Sequence, residues 1–227
     1  MASRRLGGRR GLFTAAATAC AAAGIALLTV AAFTHPPQLR QPPPEPPAAA
    51  RTHSAPAQPD ADQDLPVLGP SPPVRITAQA VGLDAAVDMV GTAEDGTVAL
   101  PDEGDHAGWY SASVTPGQRG NALLVGHVDT TRGPAAFYTL GALRKGDRIT
   151  VHRRDESVAR FTVTALTVYD RDNFPSASVY APTTHPLLTL ITCADWDPGN
   201  RTYTANLVVT AQPEPQRVSS SALDRST

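Results

Sequence analysis

The chain has 227 residues, of which 41% are hydrophobic and 18% charged, and its net charge is −2. That length suits one domain plus extra segments, and the near-neutral balance leaves no electrostatic footprint for nucleic acid. The two cysteines, Cys20 and Cys193, lie far apart, and the six histidines share no ligand spacing with them, so neither a disulfide framework nor a metal or cofactor site is expected.

Residues 1–10, MASRRLGGRR, are basic and carry no acid; residues 11–33 then run without a charge. Such a run is long enough to cross a bilayer as a helix, and the basic flank keeps the N-terminus cytoplasmic. The expectation is a transmembrane signal-anchor over 11–33. A cleaved secretory signal and a twin-arginine signal are the competing readings. All three put the rest of the chain outside the membrane. Residues 34–73 hold most of the 22 prolines, in runs such as PPQLRQPPPEPP and GPSPP. This composition cannot bury a core and reads as an extended, disordered stalk.

A domain is expected over 74–212. VRITAQ, DAAVDMV and TVALP are short strand candidates separated by Gly and Asp. NALLVGHVDT is an apolar run ending in polar residues. DRITVHR and VARFTVTALTVYD alternate, with Ala159, Phe161, Val163 and Ala165 on one face. PLLTLIT and TYTANLVVTA follow. About eight strands in so short a span point to a closed all-β architecture. FYTLGALR and FPSASVYA each have room for a helical turn or two. Residues 213–227 are polar and are expected to be a disordered tail.

Cys193 closes the apolar run LLTLITC. It is either a buried small hydrophobe or a thiolate nucleophile, and the second needs a basic neighbour. His127, in LLVGHVDT, also stands where an apolar run ends, after a glycine that allows close backbone approach. Arg201 follows the acidic turn ADWDPGN. If the last strand starts there, Arg201 shares parity with Tyr203, Ala205, Leu207 and Val209, and is either a snorkelling strand-end residue or a guanidinium aimed at an oxyanion. Thr192 either supports that site or ends a strand; Asp129 either orients His127 or caps a turn. Trp109 and Trp196 are candidates for a peptide groove or for packing.

LLVGHVDT, LTLITC and the following arginine, with GPAAFYTLGALRKGDRITV and FPSASVYAPT between them, resemble the sortases, cysteine transpeptidases of Gram-positive cell walls, and most closely their actinobacterial class F branch. The resemblance implies an eight-stranded closed β-barrel with one or two short helices. It also implies a site of His127, Cys193 and Arg201. Cys193 would cleave an LPxTG-like sorting signal between Thr and Gly through a thioacyl intermediate. The partners would be secreted proteins bearing that signal and an amine acceptor in peptidoglycan or a pilin. The chain would then be a single-pass membrane protein with an extracellular catalytic domain, able to hydrolyse peptides when no amine is present. The chain departs from that branch after the cysteine, where Ala194-Asp195-Trp196-Asp197 replaces small Gly-rich residues and a Phe. Two other readings compete. A peptidoglycan L,D-transpeptidase would carry a Ser-His-Gly-Cys type of run, which is missing here. A non-enzymatic, wall-proximal β-domain binding peptide or glycan would not require His127, Cys193 and Arg201 to converge.

Overall fold

The computed structural model describes residues 43–46 and 67–215. The expected membrane anchor and most of the stalk and tail lie outside the described residues. Among the described residues no helix is long and apolar enough to cross a membrane.

Among the described residues ten strands follow in chain order: β1 (Pro73–Ala78), β2 (Leu83–Val90), β3 (Ala107–Tyr110), β4 (Gly120–Gly126), β5 (Asp129–Thr130), β6 (Gly133–Pro134), β7 (Arg148–Arg153), β8 (Val158–Asp170), β9 (Pro186–Asp197) and β10 (Thr202–Pro213). Eight of them close a barrel in the order β1-β2-β3-β4-β9-β10-β8-β7, while β5 and β6 pair apart. β2–β3 and β4–β9 are parallel; the other barrel pairs are antiparallel. Among the described residues the helical content is small: 3-10 turns at Gln79–Val81, Leu140–Ala142 and Arg171–Asn173, and one α-helix, α1 (Ser176–Val179). The turns expected in FYTLGALR and FPSASVYA are therefore present.

Strand alternation divides the apolar residues into two sets. Ile76, Leu124, Ile149, Phe161, Leu190, Leu207 and Val209 point inward and fill the barrel with Phe137, Leu140 and Leu143. Val125, Ile191, Val208 and Tyr169 point outward from β4, β9, β10 and β8. That outer patch is covered by the β8–β9 connection through Phe174, Val179 and Tyr180, and Phe174 stands edge-on to Tyr169 at 5.9 Å.

Three boundaries differ from the sequence reading. TVALP is not a strand: it contributes only the isolated bridge Thr92↔Val98, because Asp95 Oδ1 accepts from Thr97 N (3.0 Å) and folds the segment into a tight turn. β3 shows no alternation in the sequence, because Ala107, Gly108 and Trp109 are all buried, which erases the period of two. Most consequential, β9 does not stop at Cys193. It runs on to Asp197, because β10 pairs with it out to Thr202↔Asp197. What ends beside Cys193 is the neighbouring strand β4.

Candidate active site

β4 and β9 run parallel, in register to Val125↔Ile191. One residue further, Thr192 Oγ1 donates to Gly126 O at 2.8 Å, and both residues are buried. The next residues are His127 and Cys193. They therefore occupy matched positions on adjacent chains, whose spacing in a sheet is about 4.8 Å. Both are half-buried. Gly126 is required at this point, since a Cβ there would fall 2.8 Å from the ring of Phe137, which is fully buried. Phe137 N in turn donates to His127 O at 2.9 Å and fixes the chain as it leaves β4.

His127 Nε2 lies 3.1 Å from Pro101 O. A carbonyl only accepts, so Nε2 carries the hydrogen and Nδ1 is the basic nitrogen of the neutral ring. Burial pushes the Cys193 thiol above its ordinary value; the positive charge of Arg171 opposes this, and the carboxylate of Asp129 adds to it. The resting site therefore favours a protonated thiol, which requires a base for activation.

On the other side of Cys193 stands β10. Its Asn206 is the Cα partner of Cys193, and Asn206 is in turn paired with Tyr169 of β8. Arg171 follows just past the end of β8, exposed, with Nη1 donating to Tyr203 O at 3.3 Å.

Arg201 sits in the turn between β9 and β10. β10 begins at Thr202, so Arg201 belongs to the turn, exposed and at φ 54°, and the strand parity assumed for it does not extend to it. Thr202 faces Asp197, four residues beyond Cys193 along β9, or about 13 Å at strand rise. The acidic turn also has internal work: Asp197 Oδ1 accepts from Gly199 N (2.8 Å), and Oδ2 accepts from Asn200 Nδ2 (2.6 Å). The Asn200 side chain, followed by the backbone donors, holds Asp197 below the usual carboxylate range.

Asp129 opens β5 opposite Pro134, and its charge reaches the thiol. Trp109 is core, with Nε1 donating to Val114 O at 3.1 Å. Trp196 is exposed, packs on Tyr203 at 4.9 Å between ring centres, and borders a pocket beside Cys193. Asp195, Tyr138 and Gly141 line the same pocket, as does the proline-rich segment Pro43–Pro46. Sequence reasoning did not find Asn206, Arg171 or the Pro43–Pro46 contact. Only Asn206 left a signal, as a polar amide inside the apolar strand ANLVV.

A family model for the sortase domain matches residues 76–214, more than half of the chain. The protein belongs to the sortase family. A comparison with curated proteins finds no match. Among solved structures, this sortase is similar to sortase A of Corynebacterium diphtheriae (18% identity over 66% of this chain and 64% of that one, TM-score 0.50). It is also similar to sortase A of Listeria monocytogenes (23%, 63% and 87%, TM-score 0.46) and to sortase C1 of Streptococcus agalactiae (18%, 63% and 67%, TM-score 0.49). At these identities the likeness concerns the fold alone.

Proposed function

We propose that this sortase cleaves an LPxTG-like sorting signal between Thr and Gly and transfers the acyl part to an amine of the cell wall or of another protein. The observation that carries the reading is the matched placement of His127 and Cys193 at the open end of β4, tied by the Thr192–Gly126 hydrogen bond. Family membership supports the reaction class, cysteine transpeptidation. The motif resemblance supports the class F branch, and the basic, then apolar N-terminus supports a membrane anchor with the barrel outside the cell.

In the first half-reaction the Cys193 thiol gives its proton to His127 Nδ1, and the sulfur attacks the Thr carbonyl carbon. The tetrahedral adduct collapses, the C–N bond breaks, and the imidazolium protonates the departing amine. A thioester on Cys193 remains. In the second half-reaction an acceptor amine attacks it, His127 takes the amine proton, and the thiol is restored when that proton returns. Water in place of the amine yields a carboxylic acid.

The test is direct. The full chain is incubated with LPxTG-type peptides, with and without a glycine peptide, and products and Cys193 adducts are read by mass spectrometry. The reading expects a thioacyl adduct ending in Thr, and an acid-to-amide shift when the amine is added. A panel of peptides at high concentration that never loads Cys193 would overturn it in favour of a peptide-binding β-domain.

A further inference from the structure

We infer that Asn206, with Arg171 behind it, forms the oxyanion-binding side of the Cys193 site, the role that the family resemblance gave to Arg201. The inference deepens the transpeptidase reading and rests on it for the identity of the substrate.

The argument begins with register. Asn206 is the direct cross-strand partner of Cys193, and opposed residues on an antiparallel pair have Cβ atoms about 4.5–5.5 Å apart on one face. That face is the outer one: Ile191 on β9 and Val208 on β10 share the parity of Cys193 and Asn206 and belong to the outer patch. With the β4–β9 register extended past the Thr192–Gly126 bond, the row across neighbouring strands reads His127, Cys193, Asn206, Tyr169. The nucleophile thus has the acid/base group on one side and a carboxamide on the other. Asn is depleted in strands, and Asn206 interrupts a segment in which Ala205, Leu207, Val208 and Val209 are all buried. Its NH₂ group is a neutral donor of the kind that stabilises tetrahedral oxyanions in acyl transfer.

A neutral donor supplies no charge. Arg171 supplies it from the turn that follows β8. Its guanidinium is held on β10 by the Tyr203 carbonyl, and its charge draws the thiol pKa down, against the effect of burial. With Nη1 on Tyr203 O, the exposed side chain keeps further N–H groups on its fork for the oxyanion of the substrate. Arg201, by contrast, starts beyond the Asp197 pair, in a turn whose geometry is fixed by Asp197 itself.

The experiment uses the full chain and two substrates. An LPxTG-type peptide reports the whole reaction. 4-Nitrophenyl acetate, an activated ester, acylates a thiol through the same tetrahedral oxyanion but needs no sorting signal. Adducts at Cys193 are separated from any at Cys20 by peptide mapping. Asn206→Ala is expected to lower kcat for the peptide by about 10²-fold, as for loss of one oxyanion donor, with KM changed far less. It should slow acetylation of Cys193 in parallel. Arg171→Gln should slow both and move the pH midpoint of Cys193 alkylation upward, while Arg171→Lys restores the midpoint and not kcat. Combining Asn206→Ala with Arg171→Gln should cost less than the product of the two, because both act on one oxygen. If Asn206→Ala lowers the melting temperature, Asn206→Val keeps a strand-forming residue without the donor and is read instead. Normal kcat in a folded Asn206 variant, or a larger loss from Arg201→Gln than from Asn206→Ala, overturns the inference. If no sorting peptide is turned over but acetylation still depends on Asn206, the substrate reading fails and the oxyanion assignment stands.

Discussion

Thr192 Oγ1 donates a 2.8 Å hydrogen bond to Gly126 O, one residue before Cys193 and one residue before His127. β4 ends there while β9 continues, so this side-chain bond takes over from the ladder at the point where His127 and Cys193 must stay side by side for the proposed reaction. Thr192→Val keeps the shape and removes the hydroxyl, which takes from a buried carbonyl its Thr192 donor. The expected cost is about 1–3 kcal/mol of stability, measured by denaturant titration. Turnover should fall at temperatures where the variant is still folded, since the spacing of His127 and Cys193 is no longer pinned. A variant that loses stability but keeps full kcat would limit Thr192 to a strand-closing role.

Gly126 carries the second prediction. A methyl group there meets Cδ2 and Cγ of Phe137 at 2.8 Å, and Phe137 is fully buried among barrel residues. Gly126→Ala must push that ring into the core or move the chain that bears His127. Overpacking of this kind costs about 1–3 kcal/mol. A melting temperature equal to wild type would show that the core yields at Phe137 more easily than its packing implies.

The alternating strands were legible because their inward residues are apolar and their outward ones largely polar, as in β7 and β8. β3 was hidden by burial on both faces, and TVALP misled because an Asp95-capped turn left it with a single bridge. Within the site, His127 and Cys193 were visible as ends of apolar runs, yet only the β4–β9 register explains why they meet. The reading of Arg201 rests on the family resemblance and on a strand parity that starts at Arg201. Cross-strand pairing follows hairpin geometry instead, and the positive φ at Arg201 places it in the turn. Asn206 and Arg171 depend on the order β9-β10-β8, which no local pattern states.

The pocket beside Cys193 yields a third prediction. Gly141, in the 3-10 turn Leu140–Ala142, has the Pro44 carbonyl directly over its α-carbon, so close that no Cβ fits. Gly141→Ala therefore cannot coexist with Pro44 in its present seat. The 3-10 turn itself tolerates alanine, so the barrel should retain its stability while Pro43–Pro46 is displaced. Alkylation of Cys193 by a bulky maleimide should then accelerate, because thiol reactivity depends on exposure. An unchanged rate would mean that the proline segment borders the pocket without screening the sulfur.

The last prediction concerns the charge around the thiol. Burial raises the Cys193 pKa, Arg171 lowers it, and Asp129 raises it. A thiolate is negative, so removing the negative neighbour stabilises it and removing the positive one does the opposite. Asp129→Asn should shift the pH midpoint of Cys193 alkylation downward and speed the reaction at pH 7; Arg171→Gln should shift it upward. The sign for stability follows from the same direction. Because the folded thiol holds its proton more tightly than the unfolded one, stability is fully present below the unfolded thiol value and is lost as pH rises through the folded one. Cys193→Ser should flatten that alkaline slope in denaturant titrations run across the thiol range. Asp129→Asn should reduce the slope without abolishing it, because burial, the larger cause, remains. An alkylation midpoint that rises in Asp129→Asn would show that this carboxylate acts on the site through His127 and not through its field on the sulfur.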